Sequence, residues 1–174
     1  PDSRTIFLAP IMTKELYEYQ KDLHEAMRSF DTSGWAWYHP DRWAPHCTLA
    51  LTGEDAENAL FEASDLVLHE FQKLSGAFES VGLVKIIVLS VAVAGGVFMK
   101  YAVELYFDSA TENAIMALAN KIAQRGISRR FLEYKTRPHL TLACFHDVDE
   151  CLGSQVLQDF AKQHVKKPAH LGSV

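Results

Sequence analysis

Six residues occur twice in this chain. Pro45-His46-Cys47-Thr48-Leu49-Ala50 returns as Pro138-His139-Leu140-Thr141-Leu142-Ala143, identical at every position but the third. Leucine and threonine suit a strand, and successive strand side chains point to opposite faces. His46 and Thr48 therefore share one face, with Cys47 and Leu49 on the other, and His139 and Thr141 share a face in the same way. A fold that brings the two copies together gathers two imidazoles and two hydroxyls in one cleft.

The 174 residues suit one domain or two closely packed lobes. An apolar fraction of 48% is ample for a core, and 22% charged residues argue against disorder. A net charge of −5 excludes a basic coat for nucleic acid and leaves only local patches. Three cysteines without scaffold spacing read as reduced thiols, so a cytoplasmic setting is expected. Pro1-Asp2-Ser3-Arg4 lacks the apolar region of a signal peptide. Val81–Val97 is the one stretch that resembles a membrane span. It contains Lys85, Ser90 and Gly95-Gly96 and falls short of about 20 apolar residues. Two strands meeting at a glycine turn fit it better, and no membrane association is expected.

Along the chain, Thr5–Ala9 reads as a first strand. Thr13 caps a helix to about Phe30, with Leu16, Tyr19, Leu23, Met27 and Phe30 at helical spacing. The loop 31–40 carries Trp35, Trp37 and Tyr38, which read as packing aromatics. The first repeat runs to Leu51 and Thr52-Gly53 breaks it. Glu54 and Asp55 then open a helix carrying Leu60, Ala63, Val67, Phe71 and Leu74. Phe78–Val84 and Ile86–Val93 read as two strands. From Phe98 to Phe107 the pattern alternates, with Met99, Tyr101, Val103, Leu105 and Phe107 inward and Lys100 and Glu104 outward. Ser109 and Glu112 form a capping box for a helix closed by Gly126. After the second repeat, a helix over roughly Ser154–His164 ends in Lys162, Lys166 and Lys167. The expected fold class is α+β, one bilobal domain over residues 1–174. Two related lobes with antiparallel sheets surround a central cleft, with helices on the outer faces.

Histidine takes a proton in one step and returns it in another near neutral pH. Two of them flanking a phosphoryl group can divide the work of an in-line displacement, at about a hundred- to ten-thousandfold each. Threonine hydroxyls donate to the nonbridging oxygens at about 1.5–3 kcal/mol per charge-assisted bond.

The paired Pro45-His46-Cys47-Thr48-Leu49 and Pro138-His139-Leu140-Thr141-Leu142 resemble the 2H phosphoesterase superfamily, the 2′-5′ RNA ligase-like proteins. The hallmark of that family is two His-x-Thr/Ser-hydrophobic motifs, one per lobe. The spacing here, 139 − 46 = 93 residues, looks familial, as do Arg42-Trp43 before the first motif and the helix-then-strand approach to the second. The resemblance covers most of the chain in element order, but its residue-level content lies in the motifs. It implies hydrolysis or transfer at a 2′,3′-cyclic phosphate or related phosphodiester, without a metal or other cofactor. By motif position, His46 and His139 match the catalytic histidines, and Thr48 and Thr141 the phosphate-binding hydroxyls. Which histidine is acid and which is base stays open; the working expectation gives water activation to His139 and leaving-group protonation to His46. The substrate expected is an RNA end or a nucleotide cyclic phosphate, and a monomer with no obligate protein partner is the default.

Two other functions compete. One is a non-catalytic module of the same fold that binds an RNA end or phosphate, although binding alone needs no pair of proton carriers. The other is a small-nucleotide hydrolase, acting for instance on a cyclic ADP-ribose phosphate. Arg137, beside the second motif, is the leading candidate for a substrate phosphate contact within the run Arg125, Arg129, Arg130, Lys135 and Arg137. Trp43 and Tyr106 are candidates for stacking on a base, although packing fits Trp43 as well. His39 is a candidate for the cleft rim. His24 and His69, within helices, are read as solvated or snorkelling. Alternation turns His146 away from His139 and sends Cys47 and Cys144 to the core, which breaks up any metal set made from the motif histidines and these thiols.

Overall fold

A computed structural model describes residues 5–33, 35–51, 57–71, 73–89, 97–164 and 167–172. The strands are β1 (Thr5–Pro10), β2 (Cys47–Leu51), β3 (Leu74–Leu89), β4 (Val97–Phe107), β5 (His139–Phe145) and β6 (Lys167–Gly172). The helices are α1 (Lys14–Ala26), α2 (Glu57–Glu70), α3 (Ser109–Gln124), the single turn α4 (Arg130–Glu133) and α5 (Glu150–Gln163), with 3-10 turns at Arg28–Ser33 and Ala36–Tyr38. The fold is α+β. Its strands form one antiparallel sheet in the order β2-β1-β6-β3-β4-β5. Among the described residues no helix is long and apolar enough to cross a membrane.

Local sequence accounts for most of these boundaries. Thr13 accepts the Leu16 N–H and starts α1, whose Leu16, Tyr19 and Leu23 are buried as their spacing predicts. Gly126, at φ +74°, supplies the left-handed residue that closes α3, with the Ile127 N–H returning to the Ile122 carbonyl. The start of α3 corrects the sequence reading, because the cap is Asp108 rather than Ser109. Its carboxylate accepts the N–H groups of Thr111 and Ala77, so one side chain caps the helix and ties it to β3. These bonds hold the carboxyl below its ordinary pKa, the Thr111 N–H first among them.

The strands read at Phe78–Val84 and from Ile86 are one, β3, as far as Leu89, and it pairs with β4 in a register ending at Leu89↔Val97. The remainder of the second reading, to Val93, lies outside the described residues. The glycine turn itself, Glu54 and Asp55, and Lys166 lie outside the described residues. Leu74 belongs to β3 rather than to the preceding helix. β6 was not expected. It joins β1 to β3, with Leu171 opposite both Pro10 and Leu74. Its Pro168 lies opposite Ala77 of β3, beyond the part of β6 that β1 reaches. The His170 carbonyl accepts the Ile11 N–H, so alternate residues face β1 and the N–H that Pro168 lacks would point to that unpaired side.

All four long helices contribute to a single core with the sheet. Leu23, Val67, Ile115 and Phe160 pack with Leu8, Leu49, Leu105, Phe107, Leu140 and Leu142. The opposite face of β4, carrying Lys100, Ala102, Glu104 and Tyr106, is where the second motif presents its polar side chains.

Candidate active site

Both motif strands carry the same irregularity at the same place. On β2, Ala50 lies opposite Ile6 and Thr48 opposite Phe7, so Leu49 is an extra residue. On β5, Ala143 lies opposite Val103 and Thr141 opposite Glu104, so Leu142 is extra. A bulge of this kind sets two residues against one and shifts the alternation by one. Leu49 and Ala50 are both buried, as are Leu142 and Ala143, while His46, Thr48, His139 and Thr141 keep partial exposure.

The bulge on β5 corrects two expectations. Cys144 lies opposite Ala102, on the same face as Glu104. It is buried there beneath Tyr38 rather than within the helix-side core. His146, next but one, is held on that side as well, accepting the Trp35 indole N–H at 3.0 Å while Lys100 Nζ stands 3.9 Å over the Trp35 ring. Cys47, which precedes the β2 bulge, is fully buried in the core as expected.

The histidines are held alike. His46 Nδ1 is 2.8 Å from the Ala44 carbonyl, and His139 Nδ1 is 2.8 Å from the Arg137 carbonyl, two residues back in each case. A carbonyl only accepts, so Nδ1 carries a proton in both rings and Nε2 is left for chemistry. The two environments then differ. The His46 ring packs against Phe7, with centroids 5.3 Å apart, and no carboxylate lies within ion-pair reach of it among the described residues. His139 Nε2 faces Glu104 Oε1 at 3.4 Å.

Glu104 is the residue that alternation alone failed to single out. Its face was read correctly, but as solvent, whereas only 8% of the residue is exposed. The Tyr106 hydroxyl donates to Oε2 at 2.8 Å. Burial, then Glu104 itself, pushes the Tyr106 phenol well above its ordinary pKa. The Tyr106 ring lies edge-on to His139, with centroids 6.3 Å apart, and leans over Gly82, where a Cβ would stand 3.2 Å from Cε2. Arg137 covers the ring at 4.7 Å while its guanidinium makes a bidentate pair with Glu112, bonds of 3.2 and 2.7 Å among them. A Glu two residues from a Tyr on the strand opposite a motif histidine was the available signal.

β2 and β5 approach each other without a backbone ladder. The Trp43 indole N–H donates to the Thr141 carbonyl at 2.9 Å, and the Cys47 thiol meets the His139 N–H. Every neighbouring pair from β2 to β5 is antiparallel, five pairings in all, so the two edge strands pass in opposite directions. Gln20 Nε2 and His24 Nε2 both reach the Leu142 carbonyl, at 3.1 and 3.3 Å, and the Trp35 N–H takes the Cys144 carbonyl. The open edge of β5 is thus covered by side chains and loop rather than by another strand. His24 is part of that cover, not solvated, and His39 packs against it with centroids 5.5 Å apart. His69 is exposed as expected, while Trp37, read as packing, is 69% exposed.

The motif residues therefore come together through β2 and β5. Arg137 and Tyr106 adjoin His139, and Trp43 is a buried strut, 8% exposed, with its polar atom committed to Thr141. Comparison of the chain with protein-family models gives no match, and comparison with curated proteins gives none either.

Proposed function

We propose that this protein is a phosphoesterase of the 2H type, hydrolysing a 2′,3′-cyclic phosphate or a related RNA or nucleotide phosphodiester by two-histidine acid–base catalysis. The observation that carries the reading is the paired hold on His46 and His139. Each ring gives its Nδ1 proton to the carbonyl two residues back and keeps Nε2 for proton transfer. Two such nitrogens on antiparallel neighbouring strands suit the opposite flanks of a phosphoryl group. One removes the proton of the attacking water as its oxygen bonds to phosphorus. The other supplies a proton to the ribose oxygen as its bond to phosphorus breaks. Thr48 and Thr141 offer hydroxyls to the nonbridging oxygens, and Arg137, beside the second motif, would reach phosphate only by exchanging its pair with Glu112. The matching bulges favour two pseudo-symmetric lobes related about the β2–β5 contact. Proton transfer by imidazole asks nothing of a metal.

The test is turnover of nucleoside 2′,3′-cyclic phosphates by the purified protein, with and without chelator. His46→Ala and His139→Ala should each lose about a hundred- to ten-thousandfold in kcat, with the circular dichroism spectrum unchanged and chelator without effect. Activity retained in both variants removes the proposal.

A further inference from the structure

The two histidines are held alike at Nδ1 and differently at Nε2, and the difference bears on their roles. Nδ1 of His139 donates to the Arg137 carbonyl, so a neutral ring would turn a bare Nε2 lone pair toward a carboxylate oxygen 3.4 Å away. Two acceptors do not face each other at that distance without cost, and a proton on Nε2 removes the conflict. The carboxylate has its own need. Glu104 is nearly buried, and a buried carboxylate is costly unless paired with a cation and hydrogen-bonded. The Tyr106 hydroxyl supplies the hydrogen bond but no charge. Arg137, the nearest side-chain cation over that tyrosine, is engaged by Glu112. Tyr38 and Cys144 add a phenol and a thiol near Glu104, and Lys100 on the same face stands over the Trp35 ring. The Cys47 thiol meets the His139 backbone N–H and the Thr48 carbonyl. The phenol and both thiols are kept neutral by burial. The His139 imidazolium is the cation that completes the pair.

We propose that Glu104 is a positioning residue that keeps His139 doubly protonated, making His139 the general acid and leaving His46, packed on Phe7, as the general base. This reverses the working expectation from the motifs, and it rests on the phosphoesterase reading. In the step it describes, His46 Nε2 takes a proton from water as the water oxygen bonds to phosphorus. The ribose oxygen leaves phosphorus with the Nε2 proton of His139. His46 ends as the imidazolium and His139 as the neutral ring, and solvent resets both.

A leaving group that needs no proton separates the two roles. Nucleoside 2′,3′-cyclic phosphorothiolates with sulfur at either bridging position depart as thiolates. His139→Ala and Glu104→Gln should both lose turnover on the oxygen substrate, by about a hundredfold or more for His139→Ala. Both should recover most of that loss when sulfur occupies the leaving position, whereas His46→Ala should remain impaired on every substrate. Recovery of His46→Ala with His139→Ala still impaired would overturn the assignment, and so would recovery of neither. A second readout needs no turnover, because the nitrogen-15 resonances of a histidine ring distinguish a protonated Nε2 from a bare one. The Nε2 signal of His139 should move toward the bare form when Glu104 becomes Gln, while that of His46 should not change. A His139 signal that does not move refutes the pairing. A wild type that turns over no cyclic phosphate, with that movement still seen in Glu104→Gln, would refute the phosphoesterase reading and leave the pairing standing.

Discussion

Replacing Trp43 with phenylalanine tests whether that residue is a strut or a surface for substrate. The indole N–H is the donor to the Thr141 carbonyl, at 2.9 Å, and the side chain is almost wholly buried. Phenylalanine keeps an aromatic ring there but offers no donor. A buried carbonyl left without its partner costs about 1–3 kcal/mol. The lost volume, roughly 40 Å³ at about 24 cal/mol per Å³, adds about 1 kcal/mol. The expected destabilisation is therefore about 2–4 kcal/mol, read as a lower urea midpoint at unchanged slope. For a chain of this size that corresponds to a fall of about 4–16 °C in Tm. Turnover should fall in kcat, because the lost bond is one of those that set the second motif against the first. A destabilisation below about 1 kcal/mol together with a raised KM would refute the reasoning, since that pattern belongs to an aromatic face that substrate uses.

Other outcomes follow from the same packing. Burial pushes the Cys47 thiol up to about 12 and the Cys144 thiol up to about 11, while Cys151 is exposed. A maleimide should label one thiol in the native protein and three in denaturant; rapid native labelling of Cys47 would contradict its placement. Burial also raises Tyr19 and Tyr38 to about 12. These four groups hold their protons to higher pH when folded than when unfolded. Their contribution is complete below about pH 9 and is lost as pH rises toward 12, so urea midpoints should fall across that window; flat midpoints would refute the burial. Gly76→Ala would drive a Cβ into Thr111 Oγ1 and set it 2.7 Å from Asp108 Oδ2, against the cap of α3. A loss of about 1–3 kcal/mol is expected from the overpacking, and an unchanged Tm would show that this cap is not where β3 meets the helix.

The facing of the repeated residues was legible in the sequence because strands alternate. That reasoning holds for His46, Thr48, His139 and Thr141 and for Cys47, all of which come before their bulge. It fails for Cys144 and His146, which come after one. Nothing in a period of two announces an inserted residue, although Leu-Ala in each copy offers two consecutive apolar side chains where alternation allows one. β6 was hidden for a different reason. Lys167-Pro168-Ala169-His170-Leu171-Gly172 carries a proline, a histidine and a glycine and has little strand propensity of its own. Its place is given by β1 and β3 on either side. Glu104 escaped because exposure is decided by what lies over a strand, and Tyr106, Tyr38 and His139 come from three separate parts of the chain.

The position of β6 also orders the chain in time. A ribosome makes β1 and β2 first, then the β3–β4 hairpin and β5, and each group has its own hydrogen-bonded ladder. The residues that join the groups through the middle of the sheet, Lys167–Gly172, are made after all of them. Until that strand emerges, the first histidine belongs to a two-stranded ribbon and the second to a three-stranded sheet. The backbone link between the two motifs is thus the last piece of the sheet to be synthesised.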